Sequence, residues 1–209
     1  MKLYDYAASG NCYKVRLLLA LLGREVERVA VDLFAGDTLT DAFARLNPAR
    51  EVPVLELDDG SALLQSNAIL TFFGEGTPFL PGDALGRARV AQWLAFEQEW
   101  VMRGVAGARF RLMTGRDPGD RLDTARRALD LLELRLAVSP WAAGDAPTIA
   151  DVSLFAYTHV APDAGLDLAA DWPAVAAWVD RTTALPGYVD DLVPYPANAR
   201  PGAGRSIYD

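Results

Sequence analysis

Three side chains that can donate or carry a proton stand within four residues near the start of the chain. Ser9, Asn11 and Cys12 follow the run 3–6 and precede a leucine-rich segment that ends at Gly23. The pattern predicts a strand, a short polar turn and a helix whose first turn carries these residues. The start of a helix stabilises anions, because its first N–H groups are unpaired and its dipole is positive there. The turn therefore suits a thiolate or a carboxylate, while the same residues are also typical of an ordinary N-cap.

The dipeptide Val52-Pro53 stands at the start of a predicted strand. A proline there removes a ladder hydrogen bond unless the strand lies at a sheet edge. A cis bond would instead turn the chain and expose the N–H and C=O of Val52 to an extended peptide ligand. Because cis is the minority state of X–Pro bonds, position alone favours a trans proline at an edge.

Gln65 and Ser66 begin the helix that follows the last predicted strand. The N–H groups of this helix start, together with the Ser66 hydroxyl, could hold a carboxylate. Position alone favours the simpler interpretation, in which Ser66 is an N-cap.

The chain has one histidine, His159, and one cysteine, Cys12. His159 shares an apolar helix face with Val152 and Phe155, which is typical of a hydrogen-bonded core histidine. A single histidine supplies neither a metal site nor a relay between histidines, so we expect no metal centre. A single cysteine excludes an internal disulfide, which suits a reducing cytosol.

Composition limits the classes of function. Of the 209 residues, 51% are hydrophobic and 23% are charged, which is typical of a globular protein. The formal net charge is −8 and no basic run is present, so nucleic acid and anionic membrane surfaces are not expected partners. No apolar segment approaches transmembrane length. We therefore expect a soluble cytoplasmic protein.

The elements that position these residues fall into two halves. The first half is predicted as β-α-β-α-β-β-α, an α/β layer fold in which helical crossovers make the early strands parallel. Asp58-Asp59-Gly60 predicts a hairpin that adds an antiparallel edge. The predicted strands are 2–6, 27–33, 52–57 and 62–64, and the predicted helices are 11–22, 39–46 and 67–73.

The second half is predicted to be all α. Glycines and prolines between 74 and 86 indicate a linker, so we divide the chain into domains 1–75 and 87–209 joined by 76–86. Thr148 and Asp151 form a capping box, which we interpret as structural. Helices are predicted at 87–113, 122–138, 148–160 and 173–184, followed by an extended tail from 194.

Together these motifs resemble the glutathione S-transferase family over nearly the whole chain. The segment 9–16 resembles the first-helix motif of its serine-type and related bacterial classes. Asn47-Pro48, 52–55 and 65–69 resemble the family's glutathione-site signature, in the expected order. The segment 148–151 resembles its capping box.

The resemblance implies a thioredoxin-like N-terminal domain, a helical-bundle C-terminal domain and a homodimer. It also implies that Pro53 is cis. Val52 would then pair its backbone with the cysteinyl part of glutathione, while Gln65 and Ser66 would hold the γ-glutamyl end. Glutathione would be the co-substrate of a transferase that attacks a small hydrophobic electrophile, an activity used in detoxification.

Two residues are candidates for activating the glutathione thiol. Ser9 matches the catalytic serine of serine-type members, and Asn11 aligns where some bacterial classes use Asn or Cys. Either could be the main donor. Tyr6 lies near the tyrosine that other classes use, but in serine-type members that tyrosine is usually not catalytic. Cys12 occupies the resolving position of a thioredoxin-like motif whose first cysteine is replaced, so we expect a buried small residue there.

The second substrate is expected between the domains, against Trp100, Arg103 and Phe110 of the long helix. Two other glutathione-dependent activities stay open: reduction of a disulfide or peroxide, and isomerisation or dehalogenation, because the first motif also resembles the maleylacetoacetate isomerase-like class. A third alternative is a non-catalytic binding or regulatory module with the same fold.

Overall fold

A computed structural model describes residues 1–208. The elements of its first half are β1 (Lys2–Asp5), α1 (Gly10–Leu21), β2 (Glu27–Ala30), α2 (Asp41–Leu46), β3 (Val54–Glu56), β4 (Ala62–Leu64) and α3 (Ser66–Gly74). The strands form one sheet in the order β2-β1-β3-β4. β1 and β2 are parallel, with Lys2 opposite Glu27, while β3 is antiparallel to both β1 and β4. The predicted βαβαββα order is therefore confirmed.

The turns of this half follow from the residues that the sequence places there. Gly23 ends α1 with a φ of +60°, a left-handed conformation that favours glycine. Gly60, with a φ of +83°, closes the hairpin between β3 and β4. In the same turn, Asp59 Oδ1 accepts hydrogen bonds from the N–H and the hydroxyl of Ser61.

Helix α1 lies in the interior of the molecule. Nine of its 12 residues are buried, including the charged Lys14 and Arg16. The helix packs against α3 on one side and against a helix of the second half, α7 (Ile149–Thr158), on another. Any group at the start of α1 is therefore held by both halves of the protein.

The second half is helical, as predicted, and its long central helix runs through three segments. α4 (Ala84–Phe96) continues into the π-helical segment Glu97–Ala106 and then into α5 (Gly107–Met113). α4 begins three residues before position 87, within the segment predicted as a linker, and the domain boundaries themselves stay a prediction. The other α-helices of this half are α6 (Arg121–Leu136), α7, α8 (Leu168–Asp171) and α9 (Pro173–Thr183), and a 3-10 helix, Ala161–Ala164, follows α7.

Close packing around the central helix depends on Gly104. A Cβ atom at this position would lie 2.6 Å from the Ala125 backbone nitrogen, so only glycine lets α6 approach this closely. The predicted capping box is present at the start of α7: the N–H and the hydroxyl of Thr148 both donate to Asp151 Oδ2, at 2.9 Å.

Two apolar clusters form the core. The larger one runs through both halves, and the smaller one surrounds Tyr6, Cys12 and Phe34 beside the sheet. Among residues 1–208, no helix is both long and apolar enough to cross a membrane. In the same range, no three metal-ligating side chains cluster together.

Candidate active site

A cavity of about 350 Å³ lies between the two halves. Its wall includes the starts of α1 and α3, the loop before β3, the central helix and the C-terminal tail. Seven of the nine site residues predicted from the sequence line it: Ser9, Asn11, Val52, Pro53, Gln65, Ser66 and Phe110.

Ser9 is the N-cap of α1. Its hydroxyl oxygen accepts a hydrogen bond from the Cys12 N–H at 3.3 Å, and its own N–H donates to the Tyr6 carbonyl at 2.9 Å. Because the oxygen serves the cap as an acceptor, the hydroxyl hydrogen can still be donated into the cavity. The N-cap and the anion-site interpretations of Ser9 are therefore compatible.

Asn11 lies in the first turn of α1 and lines the cavity. Its Oδ1 accepts a hydrogen bond from the Ser66 hydroxyl at 3.2 Å. Its Nδ2 has Met102 Sδ as a neighbour at 4.0 Å, and a thioether sulfur is a weak acceptor. The Asn11 amide can therefore offer a hydrogen to an anion in the cavity.

The Val52–Pro53 bond is cis. The trans proline favoured by position alone is thus wrong, and the cis bond implied by the family resemblance is confirmed. β3 begins only at Val54, two residues later than predicted, because the chain turns at Pro53. Within residues 1–208, the N–H and C=O of Val52 make no backbone hydrogen bond, so a peptide ligand can use both.

The loop before this bond is braced by Asn47. The Asn47 side chain donates from Nδ2 to the Glu51 carbonyl at 2.8 Å and accepts at Oδ1 from the Ala49 N–H at 3.0 Å. Since both ends of the amide are used, the loop is fixed from within and holds Val52 against the cavity.

The start of α3 differs from the simple N-cap expected from position. The N-cap residue is Gln65, whose φ is +70° and whose side chain makes no capping bond. A left-handed conformation is unfavourable for a residue other than glycine and is typical of functional sites. Ser66 is instead the first helical residue, and its hydroxyl donates to Asn11. Ser66 thereby links the two helix starts that face the cavity.

Aromatic rings form the opposite end of the cavity, centred on Phe110. The Phe110 ring lies 5.4 Å from the ring of Tyr195, 5.4 Å from that of Tyr208 and 6.3 Å from that of Phe34. The ring of Tyr6 lies 6.0 Å from that of Phe34 and connects this group to the turn before α1. We call these five residues the aromatic end.

The C-terminal tail carries Tyr195 and Tyr208 and is tied to both halves. Arg116 Nη1 donates to the Ala199 carbonyl at 2.7 Å, and the Arg205 N–H donates to the Phe34 carbonyl at 2.9 Å. The tail is therefore part of the cavity wall.

Trp100 and Arg103 do not line the cavity, which corrects their predicted place. Along the central helix the lining positions are 98, 102, 106, 107 and 110, and positions 100 and 103 fall between them. Arg103 is instead exposed and paired with Glu99 at 3.6 Å. Trp100 packs against the edge of the main core. The sequence pattern showed apolar residues on more than one side of this helix but not which side faces the cavity.

The phenols of the cavity stay neutral. Burial raises the pKa of Tyr6 and of Tyr157 above the ordinary tyrosine range and raises the pKa of Tyr208 to about 12. A neutral phenol can donate a hydrogen bond but cannot act as a base. Among the described residues the Tyr6 hydroxyl, which is buried, has no hydrogen-bond partner.

Cys12 and His159 take no part in the cavity wall. Burial raises the pKa of the Cys12 thiol to about 12, and its sulfur accepts the Tyr6 N–H at 3.4 Å. His159 stacks on Phe155 at 4.5 Å, and its Nδ1 lies 2.7 Å from the Phe155 carbonyl oxygen. Both residues are part of the packing, as the sequence indicated.

Sequence reasoning missed several residues at this site. Tyr157 packs over Gly10, where a Cβ atom would lie 2.2 Å from Tyr157 Cε1. Gly10 was visible in the first motif, but nothing in the sequence names the ring that occupies the space above it. Tyr195 and Tyr208 lie in a tail rich in proline and glycine, where no periodicity indicates which side chains turn inward.

Comparison with known proteins supports the interpretation of this geometry. Two family profiles match: "Glutathione S-transferase, N-terminal domain" over residues 8–75 and "Glutathione S-transferase, C-terminal domain" over 117–186. A maleylacetoacetate isomerase from Pseudomonas aeruginosa is 31% identical, with 90% of this chain and 93% of that protein covered.

Solved structures show the same fold. A glutathione S-transferase from Xanthobacter autotrophicus Py2 is 45% identical and superimposes with a TM-score of 0.84, covering 92% of this chain and 97% of that one. Another, from Pseudomonas fluorescens Pf-5, is 42% identical with a TM-score of 0.86, covering 92% and 98%.

Proposed function

Because the chain belongs to the glutathione S-transferase family, we propose that it binds glutathione in the cavity and activates its thiol for attack on a small hydrophobic electrophile. The observation that carries this proposal is the division of one cavity into two ends. Hydrogen-bond donors at the starts of α1 and α3 form one end, and aromatic rings form the other. A volume of about 350 Å³ is in the range of small-ligand sites.

At the polar end, glutathione would lie along the loop before β3. The N–H and C=O of Val52 would pair with its cysteinyl residue as an added strand does. Gln65 and the first N–H groups of α3, including that of Ser66, would hold the γ-glutamyl carboxylate, while the Ser66 hydroxyl keeps its bond to Asn11. This placement brings the sulfur to the start of α1, beside Ser9 and Asn11.

The chemical step is attack by a thiolate. Free glutathione is mostly a thiol at neutral pH, as an ordinary cysteine is. Hydrogen bonds from Ser9 and Asn11, together with the positive end of the α1 dipole, favour the thiolate, and the proton leaves to solvent. The sulfur then forms a bond to the electrophilic carbon, and the displaced group leaves with the bonding electron pair.

Titration with glutathione, followed by ultraviolet difference spectroscopy at neutral pH, tests the proposal. We expect a saturable thiolate band. Ser9→Ala and Asn11→Ala should weaken this band and lower kcat/KM, by about 10- to 100-fold for the main donor, since a hydrogen bond to a charged group contributes about 1.5–3 kcal/mol.

The matched control is Ser61→Ala, which removes an exposed hydroxyl in the β3–β4 turn. It should leave the band unchanged. If Ser9→Ala left turnover intact, Asn11 would be the main donor. If both variants were silent, the assignment of the thiol site would be wrong.

A second candidate is glutathione-dependent isomerisation, favoured by the 31% identity to a maleylacetoacetate isomerase. In that reaction the thiolate adds to a conjugated double bond, the bond rotates, and glutathione leaves again. Product analysis with a cis-enone, a disulfide and a peroxide separates the activities: glutathione is consumed in conjugation, oxidised in reduction and regenerated in isomerisation. Glutathione binding without a thiolate band would indicate a non-catalytic module.

We also propose that the protein is a cytoplasmic homodimer that serves detoxification, on the basis of its family resemblance. Light scattering coupled to size-exclusion chromatography would give twice the monomer mass of 22.6 kDa. A monomeric mass at micromolar concentration would contradict the dimer.

A further inference from the structure

A fully buried ion pair lies directly behind the polar end of the cavity. Lys14 Nζ, from α1, lies 2.8 Å from Glu97 Oε1, at the start of the π-helical segment, and both side chains are 0% exposed. Burial lowers the pKa of Lys14, and the Glu97 carboxylate opposes that shift. Taking two charges out of water is costly, and apolar residues of similar size often replace such a pair without loss of stability. Stability alone therefore does not explain why this ion pair lies beside the site.

The Lys14 ammonium sets the direction of a hydrogen-bond chain that ends at Asn11. Lys14 Nζ lies 3.5 Å from Ser66 Oγ. Because an ammonium only donates, the Ser66 oxygen is the acceptor and its hydroxyl hydrogen must point elsewhere. It points to Asn11 Oδ1, at 3.2 Å.

This direction decides which end of the Asn11 amide faces the cavity. With Oδ1 accepting from Ser66, the Nδ2 group is the end left for a ligand, and its neighbour is the weakly accepting Met102 sulfur at 4.0 Å. With the amide reversed, Ser66 would face two hydrogens, and an oxygen would face the ligand sulfur. An amide oxygen and a thiolate sulfur are both hydrogen-bond acceptors, so this orientation would not stabilise the thiolate.

Glu97 is held by donors from both halves of the protein. Its Oε2 accepts from Asn67 Nδ2 at 3.1 Å and from Gln98 Nε2 at 2.9 Å. The Ser153 hydroxyl lies 3.1 Å from the same oxygen and 2.6 Å from Asn67 Oδ1, so its one hydrogen is shared between Glu97 and Asn67. These bonds keep the carboxylate in place without using Oε1, which faces Lys14. The Glu97 carboxylate therefore holds the Lys14 ammonium within hydrogen-bond distance of Ser66 Oγ.

We propose that Lys14, held by Glu97, is a positioning residue that acts through Ser66 to turn the amide hydrogens of Asn11 toward the glutathione sulfur. This inference rests on the proposed function, because it assumes that glutathione binds at the start of α1. Lys14 and Glu97 would then control formation of the thiolate without contacting the ligand.

The test is the double variant Lys14→Met/Glu97→Gln, which removes both charges and keeps the side-chain size. At saturating glutathione and neutral pH, we expect the thiolate band to fall about tenfold, as for the loss of one charge-assisted hydrogen bond. In an Asn11→Ala background the same double change should have no further effect on the band. The pH profile of the band should move to higher pH in the double variant only when Asn11 is present.

A purely structural role would give a different result. Thermal unfolding and calorimetric affinity for glutathione would then change, while the pH profile of the bound thiol would not, and this outcome would overturn the inference. Equal effects of the double change with and without Asn11 would overturn it too. If the double variant does not fold, Ser66→Ala breaks the same chain while leaving the ion pair, and it carries the same expectation for the pH profile. A wild-type protein without any thiolate band would instead defeat the proposed function, and the inference with it.

Discussion

The two ends of the cavity differ in how the sequence encodes them. The polar end uses the first residues of α1 and α3 and the two residues before β3, so each part is a short local motif. The aromatic end takes Tyr6 from the turn before α1, Phe34 from a loop, Phe110 from the central helix and two tyrosines from the tail. A site formed at the start of a helix or strand can be predicted from a short stretch of sequence. A wall of rings that lie far apart in the sequence is defined only by tertiary packing. If the two ends are independent, a substitution at one end should leave the other end unaffected.

The largest effect should come from the capping box at the start of α7, through Asp151. The Asp151 carboxylate is buried and accepts hydrogen bonds from Thr148, from the Ala142 N–H at 2.8 Å and from Trp178 Nε1 at 3.2 Å. Asp151→Ala leaves these donors unpaired, so the free energy of unfolding should fall by about 2–4 kcal/mol. Denaturant titration measures the change.

Asp120→Ala is the matched control for Asp151→Ala. Asp120 is also at the start of a helix, but it makes no capping bond and is exposed. Its effect should stay within about 0.5 kcal/mol. Equal effects of the two substitutions would contradict the structural role of the capping box.

A smaller pair of effects should separate the two ends directly. Gln65→Gly removes a side chain from the polar end while tolerating the φ of +70°, and it should weaken glutathione binding about tenfold, as the loss of one hydrogen bond to a carboxylate. Phe110→Ala should raise the KM for an aromatic electrophile about tenfold through lost contact area. Calorimetry with glutathione and steady-state kinetics with both substrates measure the two effects.

The crossed measurements are the controls for this pair. Glutathione affinity should be unchanged in Phe110→Ala, and the electrophile KM should be unchanged in Gln65→Gly once glutathione is saturating. If either variant changed both quantities, the two ends would be coupled.

A still smaller effect concerns His159, which packs against Tyr13 and Phe155, and should appear in the pH dependence of stability. Burial lowers the pKa of His159 in the folded protein below its ordinary value of about 6.5. The resulting stability is present above that pH and is lost as pH falls through it, because only the unfolded chain then takes up the proton readily. His159→Phe keeps the ring stack and cannot titrate, so its stability should fall less between pH 7.5 and 5.5. Parallel unfolding curves across this range would contradict the assignment.

The smallest effect should be that of Cys12 on activity. With a pKa of about 12, only about one thiol in ten thousand is ionised at pH 8, so Cys12 should resist alkylation in the folded protein. Cys12→Ala should leave kcat/KM within about twofold, since in the proposed reaction the attacking sulfur belongs to glutathione. Loss of activity in this variant, at unchanged stability, would point to a protein thiol in the reaction.

The fold could be predicted from the sequence because local signals and tertiary packing agree. Gly23 and the hairpin turn at Gly60 both adopt the left-handed conformations that their positions suggested. Strand ends were less well defined: β2 ends at Ala30, three residues before the predicted end, since apolar residues continue into a buried loop. A hydrophobic run alone does not show where pairing stops.

The site was predictable to different extents for similar reasons. Pro53 was placed correctly, but its cis state followed only from the family resemblance, because no local rule overrides the general preference for trans. The direction of Trp100 and Arg103 could not be obtained from helical periodicity, since the segment Glu97–Ala106 is π-helical and departs from the 3.6-residue repeat. Lys14 looked like an ordinary helix residue, because its buried partner Glu97 is contributed by the other half.

The burial of α1 limits how proteins of this kind can be recombined. A crossover within 75–83 would exchange the second half as a block, yet the incoming partner would have to supply an acid for Lys14 and a ring that fits over Gly10. A chimaera whose second half lacks this acid would bury the Lys14 ammonium without a partner. Point substitutions among the rings of the tail face no such requirement. A change in substrate range should therefore be reached more readily by substitutions in the tail than by exchange of the two halves.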